Sequence, residues 1–271
     1  DFKNNPDDFQ FVIITDHTGR HRPGIWAKAM KRINLLQPEF VVSVGDIIEG
    51  YTENVATLDA EWAEMEGMIN TLNMPFFYVP GNHDMSNRVM TEKWQERFGP
   101  SYYHFRYKDV LFVLLNSELF SMVSKPGHSV EGPDTQPEQM AFAERVLAEH
   151  GQPEVVLVSG MVDLAAWLGF TRRFLGDPPV VLYLHENQLV YPVGPGQRPD
   201  EGLQITNWTS MSVADQVWFN STHQLDALFE ALPSLLDRAP DQSHTHRLEV
   251  VRAASHVVPV GVELSDVPAG G

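Results

Sequence analysis

Three short apolar runs that each end in polar residues constrain this chain more than any other feature. Phe11-Val12-Ile13-Ile14-Thr15 runs into Asp16, and Phe40-Val41-Val42-Ser43-Val44-Gly45 runs into Asp46. Pro75-Phe76-Phe77-Tyr78-Val79-Pro80 runs into Gly81-Asn82-His83-Asp84. Short apolar runs bounded by turn formers read as buried strands. Between the first two, Gly24 to Leu36 reads as a helix with Trp26, Met30 and Ile33 on one face. Between the second and third, Val55 to Leu72 carries Leu58, Trp62, Met65, Ile69 and Leu72 in one stripe. Strand–helix alternation predicts a largely parallel sheet. Its strands then deliver two carboxylates and an Asn-His pair to one edge, where open α/β folds place their sites. That outlines a dinuclear metal site.

Further along, a short helix at 90–98 precedes a hairpin of Tyr102–Tyr107 and Val110–Leu115 turning at Lys108-Asp109. A polar loop over 117–137 leads into a helix from Pro137 to Glu149. His150-Gly151-Gln152-Pro153 then reads as a linker. All six lysines precede residue 126, and this shift of composition supports a boundary, with domains at 1–150 and 151–271. The alternation resumes beyond it, with strands at 154–158, 180–184, 216–219 and 257–260. The helices between them are expected at 161–170, 201–214 and 222–232, the last capped by Ser221. Pro240 to Arg247 reads as a polar loop.

Charge limits the partners. The net charge is -17, with 13 Lys+Arg against 22 Asp+Glu in residues 1–150 and 6 against 14 in the remainder. An acidic surface in both halves argues against extended contact with a nucleic-acid backbone or an anionic membrane. It leaves room for a small phosphorylated substrate drawn to a metal-rich site. No apolar run approaches the roughly 18 residues of a membrane span. Cysteine is absent, which removes disulfides and thiolate ligands and leaves the compartment open, the cytoplasm being preferred. The start at Asp1, without an initiator Met, reads as trimming or a fragment.

Asp16, Gly45-Asp46 and Gly81-Asn82-His83-Asp84, each after a strand, resemble the first three motifs of the calcineurin-like metallophosphoesterases over about residues 9–150. That resemblance implies hydrolysis of phosphomonoesters or phosphodiesters by a metal-activated water. It also implies two divalent ions (Mn, Fe or Zn) sharing a carboxylate bridge. Asp46 would be the bridge, Asp16 a terminal ligand and Asn82 a neutral oxygen donor. His83 would act on the phosphate or the leaving oxygen, with Asp84 orienting it. Where the family has Asp-x-His, this chain has Asp16-His17-Thr18, so Thr18 takes a ligand's place and His21 could reach back from the loop. The family completes its site with later histidines, for which His185, His244 and His246 are the candidates.

Other stretches are similar to the N-terminal domain of the tRNA-queuosine α-mannosyltransferases, over about residues 153–264. They are Ser159–Leu164, Leu184-His185-Glu186-Asn187-Gln188-Leu189-Val190-Tyr191-Pro192 and Ala214–Ser221. That resemblance implies a Rossmann-like glycosyltransferase unit, with His185, Glu186, Asn187, Gln188, Asn220 and Ser221 on the acceptor side. The expectation is thus an α/β protein. A metallophosphoesterase-like sheet with flanking helices is followed by a partial Rossmann-like α/β unit, as if the front of one family were joined near residue 150 to the middle of another.

Overall fold

Alternation along the first three strands decides the architecture of the amino-terminal half. Strands β1 (Phe11–Ile14), β2 (Phe40–Ser43) and β3 (Phe76–Phe77) pair in parallel in that order, with Phe11 opposite Phe40 and Val41 opposite Phe76. Successive side chains of a strand face opposite sides of the sheet. Val12, Ile14, Val41, Phe76 and Tyr78 therefore join a core with helices α1 (Ile25–Leu36), α2 (Val55–Ile69) and α3 (Arg88–Phe98), centred on Trp62, Met65, Met85 and Trp94. Phe9, Phe11, Phe40, Val42, Phe77 and Val79 face the other way. They meet the antiparallel hairpin of β4 (Tyr103–Tyr107) and β5 (Val110–Leu114) in an aromatic layer. Asn54 and Asn87 start α2 and α3 by accepting from the amides of Thr57 and Met90.

This computed structural model describes residues 9–18, 23–120, 136–160, 162–192, 200–238, 241 and 243–259. The chain divides into two units, residues 1–150 and 151–271. After a short 3-10 turn at Ser117–Phe120, helix α4 (Gln136–His150) closes the first unit. Its Gln139 is fully buried and pairs with the backbone of Asn116, accepting from the amide at 2.7 Å and donating to the carbonyl at 3.0 Å.

In the second unit, β6 (Val156–Ser159), β7 (Val180–Leu184), β8 (Gln216–Phe219) and β9 (Ser255–Val257) form a parallel sheet in sequential order. Helices α5 (Leu164–Leu175), α6 (Glu201–Val213), α7 (Thr222–Leu236) and α8 (Leu248–Ala253) accompany them. Leu164, Leu182, Trp208, Met211, Val217, Phe219, Leu228 and Leu232 form the core. Both units are thus mixed α/β with parallel sheets and flanking helices. Among the described residues no helix is long and apolar enough to cross a membrane.

Several expectations shift in the second unit. Helix α5 begins at Leu164 rather than 161, because Asp163 accepts from the Ala166 amide and sets the start. Helix α7 runs through Pro233 to Leu236 instead of stopping at 232. Buried Leu232 and Leu236 on either side of the proline outweigh the hydrogen bond it removes. The expected polar loop over 240–247 instead contains a 3-10 turn at Thr245–Arg247 leading into α8, and β9 follows two residues earlier than expected. Val251 anchors α8 in the core, and Arg247 donates to the Ser212 carbonyl at 2.8 Å.

Candidate functional site

The loops after β1, β2 and β3 lie side by side at the carboxyl edge of the first sheet. The Asp16 amide donates to the Gly45 carbonyl at 3.2 Å and the His17 amide to the Asp46 carbonyl at 2.9 Å. The His83 amide donates to Asp46 Oδ1 at 2.9 Å. Asp16 and Asp46 both adopt left-handed backbone, with φ of 49° and 57°, a conformation that side chains other than Gly enter reluctantly. Close approach requires glycine at two positions. A Cβ on Gly45 (φ +103°) would lie 2.5 Å from the Gly81 nitrogen, and one on Gly81 would lie 2.3 Å from Asp46 Oδ1. The three strand endings read from the sequence therefore do meet.

Asp84 takes a different role from the expected one. Its carboxylate is 1% exposed and receives four backbone amides: Asp46 (2.7 Å) and Gly81 (2.9 Å) on Oδ2, Ile47 (2.9 Å) and Ile48 (3.2 Å) on Oδ1. It clamps the Asp46 and Gly81 loops to one another. Burial and the Asp46 charge push its pKa up to about 7, against the pull of those amides. The His83 ring is oriented instead by the Glu49 carbonyl, 2.7 Å from Nδ1. A carbonyl only accepts, so Nδ1 carries the proton and Nε2 is left for other work.

Two residues at this edge escaped the sequence reading. The Tyr51 hydroxyl accepts from Asn82 Nδ2, which turns the Asn82 oxygen away from the phenol. Burial, followed by the charges of Asp46, Glu118 and Asp84, raises the Tyr51 pKa, with the Asn82 bond opposing. Glu118 follows β5, which like the first three strands ends in polar residues (Asn116-Ser117-Glu118), and burial with the Asp46 charge pushes it up to about 7. The available signal for Glu118 was that polar ending of β5.

His17 packs edge-on against Trp26, ring centroids 5.4 Å apart, so it serves the core. His21 lies outside the described residues. Among the described residues no group of three or more His, Asp or Glu side chains is gathered to hold a metal ion. The six expected ligands are divided, with Asp16, Asp46 and Asn82 in the first unit and His185, His244 and His246 in the second. His244 and His246 are exposed on the 3-10 turn, with ring centroids 6.1 Å apart.

The second sheet also gathers polar groups at its carboxyl edge. Asn220 Nδ2 donates to the His185 carbonyl at 2.8 Å, tying the ends of β7 and β8. The Ser221 hydroxyl accepts from the Gln224 amide at 3.2 Å and so caps α7, as expected, while donating to Asn220 Oδ1. Glu186 accepts from Gln188 Nε2 at 2.9 Å, and the Gln188 amide is held by Asn207 at 3.0 Å. Three polar atoms here are buried without a partner: His185 Nδ1, Asn187 Nδ2 and Gln224 Oε1. Asn187 and Gln224 are only 7% and 9% exposed. Gly160, at the end of β6, borders the His185 ring, since a Cβ there would stand 3.4 Å from Nδ1.

Comparison with known proteins bears on this second edge. A curated tRNA-queuosine alpha-mannosyltransferase of Drosophila melanogaster is 28% identical over 150 residues, which are 55% of this chain and 38% of that protein. The chain therefore spans about two fifths of the length of that relative. Among solved structures, a dimetal phosphatase from Danio rerio covers 80% of this chain and 82% of its own at 16% identity. Its TM-score of 0.42 is too low to bear on function. The tRNA-queuosine alpha-mannosyltransferase N-terminal family matches residues 117–262, beginning well before the 153 read from the sequence. A join near residue 150 would fall inside that stretch. With more than half of its residues matched, this chain belongs to the tRNA-queuosine alpha-mannosyltransferase N-terminal family.

Proposed function

We propose that the second unit recognises the nucleoside of an acceptor tRNA, the queuosine named in its relative, through the carboxyl edge of β6–β8. The observation that carries this is the set of three unpartnered buried atoms, His185 Nδ1, Asn187 Nδ2 and Gln224 Oε1. An unmet polar atom in the interior costs about 1–3 kcal/mol, so such atoms call for a polar partner. The Asn amide donates, the Gln carbonyl accepts and the imidazole nitrogen does either. A hydroxylated ring, whose groups both donate and accept, matches that mixture. Glu186, Gln188, Asn220 and Ser221 act one step back, since their side chains or amides fix the two loops. The net charge of -17 restricts the contact to the modified nucleoside and its immediate neighbours. The test is calorimetric titration of the full chain with queuosine and, as control, guanosine. Asn187→Ala is expected to weaken queuosine binding at least fivefold. Equal binding of the two nucleosides would refute the reading.

A second reading, metal-dependent phosphoester hydrolysis in the first unit, is favoured by the joined Asp16, Asp46 and Asn82 loops. Two carboxylates and an amide oxygen fit one hard divalent cation such as Mg²⁺ or Mn²⁺ better than an Fe or Zn pair. Asp16, Asp46 and Asn82 would hold it, and the ion would supply Lewis acidity towards a phosphoryl oxygen and a water of lowered pKa. His83, its Nδ1–H tied to Glu49, would present Nε2 towards the substrate. Only the doubly protonated imidazolium has a second proton there to donate to the phosphate or give to the leaving oxygen, returning to the neutral Nδ1–H form. Asp84 contributes by fixing the loops. Calorimetry with Mn²⁺ should find one ion per chain, lost in Asp46→Asn together with hydrolysis of p-nitrophenyl phosphate. Hydrolysis that survives Asp46→Asn would remove this reading.

A further inference from the structure

The second sheet has a face that neither reading uses. Right-handed crossovers between neighbouring parallel strands put their connecting helices on one side. Strands β6 to β9 pair in sequential order, so α5, α6, α7 and α8 share a side. Leu182, Leu184, Val217 and Phe219 are buried there. Side chains alternate along a strand, so Val181, Tyr183, Gln216 and Trp218 face the other way. Register sets Leu157 opposite Val181 and His256 opposite Trp218 on that same face. The face is open: Leu157 is 46% exposed, Gln216 and His256 are exposed, and Tyr183 and Trp218 are half-buried.

Tyr183, Trp218 and His256 are direct partners across three adjacent strands. With strands about 4.8 Å apart, the three side chains form a row roughly 10 Å across. The polar ends of two of the rings are tied down. Trp218 Nε1 donates to Gln216 Oε1 at 3.0 Å, and the Tyr183 hydroxyl donates to the Val258 carbonyl at 3.4 Å. What these rings offer a guest is therefore their flat surface. RNA-binding sheets use such aromatic rows to stack unpaired bases. The four strands carry no Asp or Glu, so no carboxylate of the sheet repels an RNA phosphate. Two residues beyond Tyr183 and Trp218 stand His185 and Asn220, at the edge assigned above to the nucleoside. The row is thus continuous with that edge.

We infer that Tyr183, Trp218 and His256 form a stacking platform for the unpaired bases that flank the nucleoside held at the carboxyl edge. This rests on the nucleoside reading for which bases arrive, and on the open aromatic row for how they are held. The probes are two dye-labelled RNA pentanucleotides with a central guanosine, one bearing bases throughout and the other abasic on both sides of the guanosine. Their phosphate charge is the same, so a difference in affinity reports the flanking bases. Titrated by fluorescence anisotropy against the full chain at physiological salt, the base-bearing RNA should bind about fivefold tighter or more. Trp218→Leu should erase that difference and Trp218→Phe, which keeps a ring, should retain most of it. His256 is exposed, so His256→Ala should fold and roughly halve the difference if Trp218→Leu does not fold. Equal affinities for the two RNAs, or a difference that survives both Trp218→Leu and His256→Ala, would overturn the proposal. So would loss of self-association in Trp218→Leu with RNA binding unchanged, which would assign the face to a second copy of the chain. If free queuosine and guanosine bind alike, the nucleoside reading falls, while the flanking-base comparison, made with guanosine alone, still decides this one.

Discussion

Asp84→Ala removes the acceptor shared by the amides of Asp46, Ile47, Ile48 and Gly81. Ile47 and Ile48 are 0% and 1% exposed, so water cannot replace the lost oxygen at their amides. Each such orphaned donor costs about 1–3 kcal/mol. The half-buried Asp46 and Gly81 amides lose less, because solvent reaches their loops. Part of the loss is offset, since the variant no longer buries a carboxyl group that burial holds up to about 7. The net expectation is a destabilisation of about 3 kcal/mol, confined to the first unit. Because the chain has two units, one global unfolding curve is a poor measure. Amide hydrogen exchange resolved by residue is the suitable assay. The amides of 46, 47, 48 and 81 should exchange at least a hundredfold faster in the variant, with β7 and β8 unchanged. Wild-type protection at Ile47 and Ile48 would show that Asp84 does not clamp these loops.

Gly45→Ala forces a methyl against the Gly81 backbone at an unfavourable φ. It should destabilise the first unit by about 3 kcal/mol or more, read as a shifted first-unit transition in thermal unfolding. Glu118, raised from 4.5 to about 7 by burial and then by Asp46, keeps its proton in the folded chain where the unfolded chain has lost it. The Glu118 contribution to the first unit, about 3 kcal/mol, should therefore be lost as pH rises from about 4.5 to about 7, on top of a loss of the same sign from Asp84. Glu118→Gln should make that slope shallower without abolishing it. Asp46→Asn should lower the Glu118 pKa without returning it to 4.5, because burial remains, as ¹³C carboxyl titration would report.

Much of the framework was legible because it rests on periodicity. β1, β2 and the hairpin sit within a residue or two of their expected positions, since alternating apolar side chains must face two covered sides. The strand endings carrying Asp16, Asp46 and Asn82 could be read for the same reason. What those side chains do at the edge could not. Asp84 looks like a partner for His83 in the sequence, yet it answers four amides brought together only by the packing of two loops. Tyr51 was overlooked because it enters the edge from a loop with no periodic signal. Glu118 was overlooked because the polar ending of β5 closes a hairpin and was not set beside the three crossover strands. In the second unit, the helix expected to stop at 232 runs on to Leu236, and the His-x-His pair read as loop lies at a 3-10 turn leading into α8, where Leu236 and Val251 are buried.

Helix α4 is where family likeness and packing diverge. The matched stretch begins at residue 117 and so takes in all of α4, yet the helix belongs to the first unit. Its attachment there is specific: Gln139 closes a buried two-bond pair with Asn116, and Phe142 meets Tyr102 with ring centroids 5.1 Å apart. Gln139→Leu keeps a similar volume but leaves the Asn116 amide and carbonyl unmet, a loss of about 2–4 kcal/mol. If α4 is a structural part of the first unit, hydrogen exchange should quicken in β5 and α3 and stay unchanged in β6–β9. If it is instead the leading element of the matched domain, the β6 and β7 amides should respond as well. Loosened protection at Leu157 or Leu182 would thus move the true boundary from residue 150 to residue 117, and would make the family domain a larger cooperative unit than the packing of this chain implies.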